Sequence, residues 1–163
     1  MLVKREATAN DAPLLSAMIR ELAEFERNLD KVDLTAEDLL RDGFRADAWF
    51  HALIAERDGQ AAAYAVYFFS YSTWAGRPSL YIEDLFVRSD FRRFGIGKAL
   101  LKRMAEIARE RNCYAMRWEV LNWNTPAIEF YRSLGATLQT EWFPVLLAAD
   151  CFERLSRMKS GKA

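Results

Sequence analysis

One junction constrains the fold of this chain most: an apolar segment that runs through a glycine-containing loop into an amphipathic helix. The segment LYIEDLFV (80–87) has the composition of a strand, and the loop RSDFRRFGIG follows it. The helix expected over 96–111 has an apolar face formed by Leu100, Leu101, Met104 and Ile107. Because the first N–H groups of a helix are unpaired, such a junction predicts either a simple turn or an anion-binding loop.

Hydrophobic periodicity outlines the remaining elements. It predicts strands over 2–7, 50–56, 61–72, 80–87 and 114–121, with one or two more within 137–148. Helices are expected over 11–27, 35–43, 96–111 and 125–134, and a terminal helix after Asp150. This order favours one α/β (α+β) domain spanning residues 1–163, with a mixed, mostly antiparallel central sheet of about 6–7 strands and about 4–5 flanking helices.

The composition argues against several functional classes. The 163 residues contain 23 Lys and Arg and 23 Asp and Glu, so the formal net charge is zero and general nucleic-acid binding is not expected. Two distant cysteines and a single histidine argue against a metal site and against a disulfide framework. The N-terminus has no apolar signal core and no apolar run could span a bilayer, so we expect no membrane association and a cytoplasmic protein.

The loop sequence RRFGIG fits the pattern R-x-x-G-x-G at Arg92, Gly95 and Gly97. Arginines can pair with phosphate oxygens, and glycines allow a phosphate to approach the backbone. About thirty residues later the chain reads NWNTPAIEFYRSLGA. The two motifs, in this order and on these elements, resemble the GNAT family of acetyl-CoA-dependent N-acetyltransferases, and the resemblance covers the chain from its first strand to about residue 140.

Further stretches resemble one branch of that family more closely. These are RELAEFE, LTAEDLLRDGF and LYIEDLFVRSDFRRFGIG, which look like the spermidine/spermine (diamine) and thialysine N-acetyltransferases. The resemblance implies acetyl transfer from acetyl-CoA to a primary amine of a small di- or polyamine or a thialysine-like amino acid, directly in a ternary complex and without a metal. It also implies a homodimer. The alternatives are acetylation of a peptide lysine or N-terminus on the same fold, and a non-catalytic CoA-binding regulatory module.

By the same resemblance, three segments contact acetyl-CoA. The strand contributes the backbone groups of Leu85, Phe86 and Val87. The loop contributes Arg92, Arg93, Phe94, Gly95, Ile96, Gly97 and Lys98. The second motif contributes Asn124, Thr125, Pro126, Ala127 and Tyr131.

Two residues are candidates for the catalytic proton transfers. The resemblance gives Tyr131 the role of the acid that protonates the departing thiolate, although a core tyrosine beside Phe130 is the alternative. Regular alternation places Glu83 on one strand face with Tyr81, Leu85 and Val87. A carboxylate there could have a raised pKa and act as the base through water, and in the diamine branch the matching glutamate has this role. The alternative is a strand-edge acid paired with an arginine.

The amine-binding residues are assigned by resemblance to the diamine branch. At the position that matches Phe25, the branch usually has an aromatic side chain with a hydroxyl group, which Phe25 lacks. Each acidic member could hold a cationic chain or be a solvated surface acid. The set consists of Phe25, Glu26, Glu83, Asp84, Arg117, Trp118 and Glu119.

Overall fold

The computed structural model describes residues 1–158. Strands β1 to β5 comprise, in chain order, Leu2–Glu6, His51–Arg57, Gln60–Ser72, Arg77–Val87 and Met116–Arg117. Helices α1 to α5 comprise Ala12–Phe25, Ala36–Gly43, Ile96–Glu110, Thr125–Ser133 and Phe152–Ser156. None of the described helices is both long and apolar enough to cross a membrane. The chain divides into two compact units: Met1–Glu119, called unit 1 below, and unit 2, which begins at Val120.

The five strands form one sheet in unit 1, in the order β1-β2-β3-β4-β5. The first four are antiparallel neighbours, whereas β5 pairs parallel to β4 at only two positions, Leu80 with Met116 and Tyr81 with Arg117. The prediction of a mixed, mostly antiparallel sheet with about 4–5 helices is therefore confirmed. Among the described residues, β4 beyond Ile82 has no strand neighbour on its β5 side.

The expected number of strands was too high. The strands predicted within 137–148 are not formed: this segment of unit 2 is irregular, and Trp142, Phe143 and Leu146 are mostly exposed. The apolar letters there suggest a strand, but a strand also needs a neighbour to pair with. Only Met116–Arg117 of the predicted 114–121 strand forms β5, although Tyr114 and Ala115 also make backbone hydrogen bonds to Pro78 and Leu80 of β4. The terminal helix is preceded by a 3₁₀ turn at Ala149–Cys151, so Cys151 occupies the N-cap instead of Asp150.

Helices cover both faces of the sheet, so every residue from Ala62 to Tyr67 in β3 is buried. On one face, α1 and α2 pack on side chains from alternate positions of β2, β3 and β4. On the other, α3 contacts the same three strands. The core of the first face includes Leu15, Met18, Leu39, Ile54, Tyr64, Val66 and Phe86, and α3 buries Leu100, Leu101, Met104 and Ile107.

A β-bulge interrupts β4 at Glu83. Val66 pairs with Asp84 but the next residue, Tyr67, pairs with Ile82, so Glu83 has no partner on β3. Because residues directly opposite each other share a face, the bulge puts Asp84 on the α1 face and Ile82 on the α3 face. The regular alternation expected for this strand is therefore wrong. The placement of Glu83 had assumed that Tyr81, Leu85 and Val87 share one face. In the structure Tyr81 lies on the opposite face from Leu85 and Val87.

Candidate active site

The loop after β4 enters α3 through a left-handed residue. Gly95 is the N-cap of α3 with φ 74°, and it has no side-chain oxygen to occupy the first N–H groups of the helix. The first turn contains no acidic residue, and it includes Lys98. A Cβ added at Gly97 would lie 3.5 Å from Cγ2 of Val87, so the helix start packs closely on the end of β4. These features leave the N-terminus of α3 suited to an anion.

Cationic and aromatic side chains surround this loop. The Nε of Arg92 donates to the carbonyl of Val87 at 3.1 Å, and its guanidinium lies 4.7 Å from the ring centroid of Phe25. The guanidinium of Arg57, from the end of β2, lies 3.5 Å from the ring centroid of the exposed Phe94. Arg93 is exposed and has φ 67°. The side chain of Ile96 is buried, so only its backbone faces the loop.

A cleft of about 510 Å³ lies between the second half of α1 and the segment that follows β4. An ion pair joins its two sides: Arg88 donates from Nε and Nη2 to the Glu21 carboxylate at 2.8 and 2.6 Å. The Nη1 of Arg88 also donates to the carbonyl of Ala61 at 2.9 Å. The Arg88 side chain therefore fixes α1, β3 and the start of the loop to one another. The other lining residues are Glu24, Phe25, Phe86, Ser89, Asp90 and Arg92.

Asp84 is the half-buried carboxyl of β4. The hydroxyl of Tyr64, a residue with no exposed surface, donates to its Oδ2 at 3.2 Å. Burial, with smaller contributions from Glu83 and Glu26, raises the pKa of Asp84 to about 6, while the Tyr64 hydrogen bond acts in the opposite direction. Asp84 therefore titrates near neutral pH, where a small change of environment alters its charge.

Glu26 and Glu83 both lie close enough to Asp84 to influence its ionisation, and we call these three carboxyls of unit 1 the acidic cluster. Glu26 follows the last residue of α1, and burial raises its pKa. Glu83 is exposed within the bulge. The cluster gathers negative charge from the end of α1 and from β4, as a site for a cation requires.

The segment that contains β5 contributes a second group near the bulge. Burial raises the pKa of Tyr81, and the carboxylate of Glu119 raises it further. The smaller effects of Glu83 and Arg117 raise and lower this pKa, respectively. Glu119 forms a side-chain hydrogen bond with Tyr81. Arg117 is exposed and lies opposite Tyr81 in the sheet, and Trp118 is half-buried. Tyr81 thus connects Glu83 with Arg117 and Glu119, whereas Phe25 lies against the guanidinium of Arg92.

The remaining predicted residues lie in unit 2. Asn124 is the N-cap of α4, and its side-chain oxygen accepts from the backbone N–H of Ala127 at 3.4 Å. Thr125 and Pro126 form the first turn of this helix. Tyr131 lies one helix turn further on, where its ring is 5.5 Å from that of Phe130. Burial raises the pKa of Tyr131, so the phenol is protonated at neutral pH and can donate a proton.

Sequence reasoning missed Tyr64 and the Arg88–Glu21 pair. In AAAYAVYFF, Tyr64 has the pattern of an ordinary core aromatic. One signal was available: a tyrosine hydroxyl buried in such a strand needs a polar partner, and so does a carboxyl in the apolar strand LYIEDLFV. Among residues 1–158, no group of three or more His, Cys, Asp or Glu side chains is arranged to hold a metal ion.

Comparison with known proteins gives consistent results. The sequence profile of the acetyltransferase (GNAT) family matches residues 16–136. Thialysine N-epsilon-acetyltransferase of Sus scrofa is 40% identical over 145 residues, which cover 84% of this chain and 85% of that protein. A spermidine/spermine N(1)-acetyltransferase-like protein of Homo sapiens is 41% identical over 139 residues, 81% of this chain but only 20% of the longer protein.

Solved structures show the same fold. An integron cassette protein from V. cholerae superposes with a TM-score of 0.80 over 96% of this chain and 98% of its own, at 23% sequence identity.

Proposed function

Because the chain belongs to the GNAT acetyltransferase family and is an N-acetyltransferase, we propose that its acceptor is a primary amine of a small di- or polyamine or of a thialysine-like amino acid. The acidic cluster carries this proposal. Three carboxyls, two from the bulge in β4 and one from the end of α1, suit an acceptor with more than one positive charge better than an isolated amine. The relatives named for thialysine and for spermidine and spermine support the same substrate class.

The donor we propose is acetyl-CoA, which supplies an activated acetyl thioester. The start of α3, with its left-handed Gly95 and without an acidic first turn, fits a diphosphate. Arg92, Arg93 and Lys98 provide positive charge, and Gly97 provides close approach. Within residues 1–158 no strand pairs with the β5 side of β4 beyond Ile82, which leaves backbone groups of Leu85–Val87 for the pantetheine arm, apart from the Val87 carbonyl that accepts from Arg92. In unit 2, Asn124 to Ala127 would supply further contacts through the start of α4.

The proposed transfer is direct, without an acyl-enzyme. Glu83 accepts the proton of the substrate ammonium, through water, which leaves the amine nitrogen able to attack the acetyl carbonyl carbon. A backbone N–H of Leu85–Val87 donates to the developing oxyanion. As the C–N bond forms and the C–S bond breaks, Tyr131 gives its proton to the departing thiolate, the nitrogen releases its second proton to solvent, and Tyr131 and Glu83 then exchange protons with solvent to return to their starting states. Glu26 and Asp84 hold the remaining positive charge of the acceptor.

Two features of the whole protein belong to this proposal. The family profile crosses the boundary between the two compact units at Glu119, which supports a single acetyltransferase domain. The apolar segment of unit 2 around Leu146 is exposed, which supports a homodimer in which a second copy of the chain covers it.

An acceptor screen tests the proposed function. Purified protein and acetyl-CoA are incubated with diamines, polyamines, lysine analogues including thialysine, and basic peptides, and thiol release is followed against an amine-free blank. We expect release with small acceptors that carry a second charged group, and little with a monoamine of equal length. Turnover only with peptides would contradict the proposed substrate class. Turnover with none of them would contradict the proposed function.

A further inference from the structure

We propose that Tyr64 is a positioning residue of the acceptor site, whose hydroxyl orients the Asp84 carboxyl and favours its ionised form for the substrate ammonium. The inference rests on the proposed function, because it assigns a role within the same site. No signal in the motifs pointed to Tyr64, which lies on β3, outside both motifs of the sequence.

The position of Tyr64 is fixed by its neighbours. Its ring is fully buried in the core of the α1 face, with its centroid 6.2 Å from that of Phe86. In the sheet it lies opposite Phe86, two residues from Asp84. A ring held in this way has little freedom, and its hydroxyl donates to Oδ2 of Asp84 at 3.2 Å. The hydrogen bond therefore determines the orientation of the carboxyl.

The register of β4 against β3 places Asp84 on the same face as Tyr64. Asp84 and Phe86 lie opposite Val66 and Tyr64 on the α1 face, whereas the bulge at Glu83 puts Ile82 on the α3 face. The hydrogen bond engages only one carboxylate oxygen, and the other, Oδ1, is outside it. Tyr64 thus directs an acidic side chain that the apolar core would otherwise favour in its neutral form.

The charged groups around Asp84 all act in one direction. Glu26, after α1, and Glu83, on the same strand, both disfavour its ionisation. Glu21 of α1 acts on Tyr64 from the other side and is itself paired with Arg88. The Tyr64 hydroxyl is thus the neighbouring group that favours the carboxylate. Without it, Asp84 should bind its proton more tightly.

The test is the variant Tyr64→Phe, which removes the hydroxyl and keeps the ring. The matched control is Tyr67→Phe, a buried tyrosine three residues along the same strand whose ring packs instead near His51 and Phe69. The pKa of the Asp84 carboxyl is read directly by carbon-13 NMR of aspartate-labelled protein without substrate. Its signal is assigned by its loss in Asp84→Asn.

We expect the pKa of Asp84 to rise by roughly one unit in Tyr64→Phe and to stay unchanged in Tyr67→Phe. Because Asp84 is ionised only above its pKa, the acidic limb of kcat/KM for the amine should move to higher pH by the same amount. Equal Asp84 pKa values in wild type and Tyr64→Phe would overturn the inference. So would an equal shift in Tyr67→Phe. Since the NMR titration needs no turnover, it decides the role of Tyr64 even if the acceptor screen finds no substrate.

Discussion

Tyr131 and Asp84 both have a pKa raised by burial, yet the consequences for their charge differ. A phenol whose pKa rises stays protonated at neutral pH and keeps a proton to donate. A carboxyl whose pKa rises to about 6 is still mostly ionised at pH 7.5, and loses its negative charge as the pH falls through 6. One residue is thus suited to donate a proton and the other to hold a cation.

The role of Tyr131 is tested by Tyr131→Phe. We expect kcat to fall by about 10²-fold or more, because the leaving thiolate loses its proton donor, while KM for acetyl-CoA changes little. Steady-state kinetics between pH 6 and 10 measure both quantities. The neighbouring Phe130→Leu is the control for packing on α4. An unchanged kcat at every pH would show that Tyr131 is not the acid.

The two acidic residues of the bulge should separate kinetically. In Glu83→Gln the base is lost, so kcat is expected to fall by roughly 10²-fold with a small change in KM for the amine. In Asp84→Asn a charge that holds the acceptor is lost, so KM for the amine should rise by about tenfold or more. Both variants keep the size of the side chain. The reverse pattern, with kcat lost in Asp84→Asn alone, would exchange the two roles.

At the scale of elements, the start of α3 is the feature with the clearest consequence for the donor. Gly97→Asp adds a negative charge in the first helical turn, where the diphosphate is proposed to bind. KM for acetyl-CoA should rise by about tenfold or more. Gly97→Asn is the matched control: its Cβ would meet Val87 at the same ordinary contact distance of 3.5 Å and its side chain adds similar bulk without the charge, so we expect a smaller rise in KM. Equal KM values for Gly97→Asp and wild type would contradict this placement.

Elements with strong local signals were predictable, and those that depend on pairing were not. The helix start at Ile96 follows from a glycine pair and an apolar stripe, and the helix at Thr125 from Asn124 and Pro126. The bulge at Glu83 has no such signal, because LYIEDLFV alternates regularly until its register against β3 is known. For that reason the sequence analysis predicted Glu83 to be the shielded carboxyl. In the structure Glu83 is exposed, and it is Asp84 that is half-buried beside Tyr64.

At the scale of the whole molecule, the segment around Leu146 misled the sequence reasoning for a physical reason. The run WFPVLLAADCF contains enough apolar residues for a strand. A buried strand and an intermolecular contact require the same composition, so composition alone could not distinguish them. Val145 and Leu146 are 93% and 91% exposed, which favours the second interpretation.

The proposed dimer is tested by Leu146→Asp. A charge placed in an apolar contact between two copies should weaken association strongly, so we expect the wild type to sediment as a dimer and the variant as a monomer. Leu40→Asp is the control, since Leu40 is also exposed (43%) but lies on α2. A wild type that stays monomeric at high concentration would rule out the dimer, and a dimeric Leu146→Asp would place the contact elsewhere.

The ion pair between Arg88 and Glu21 connects the proposed donor-binding loop with the helix that precedes Glu26. Arg88 lies at the start of the loop proposed for the diphosphate, and Glu21 lies on the helix that ends next to Glu26. A shift of the loop on binding its ligand would therefore be transmitted to α1. The two substrates should then show thermodynamic coupling, each changing the affinity of the other by the same factor, and the strength of this cooperativity should depend on a single guanidinium–carboxylate contact.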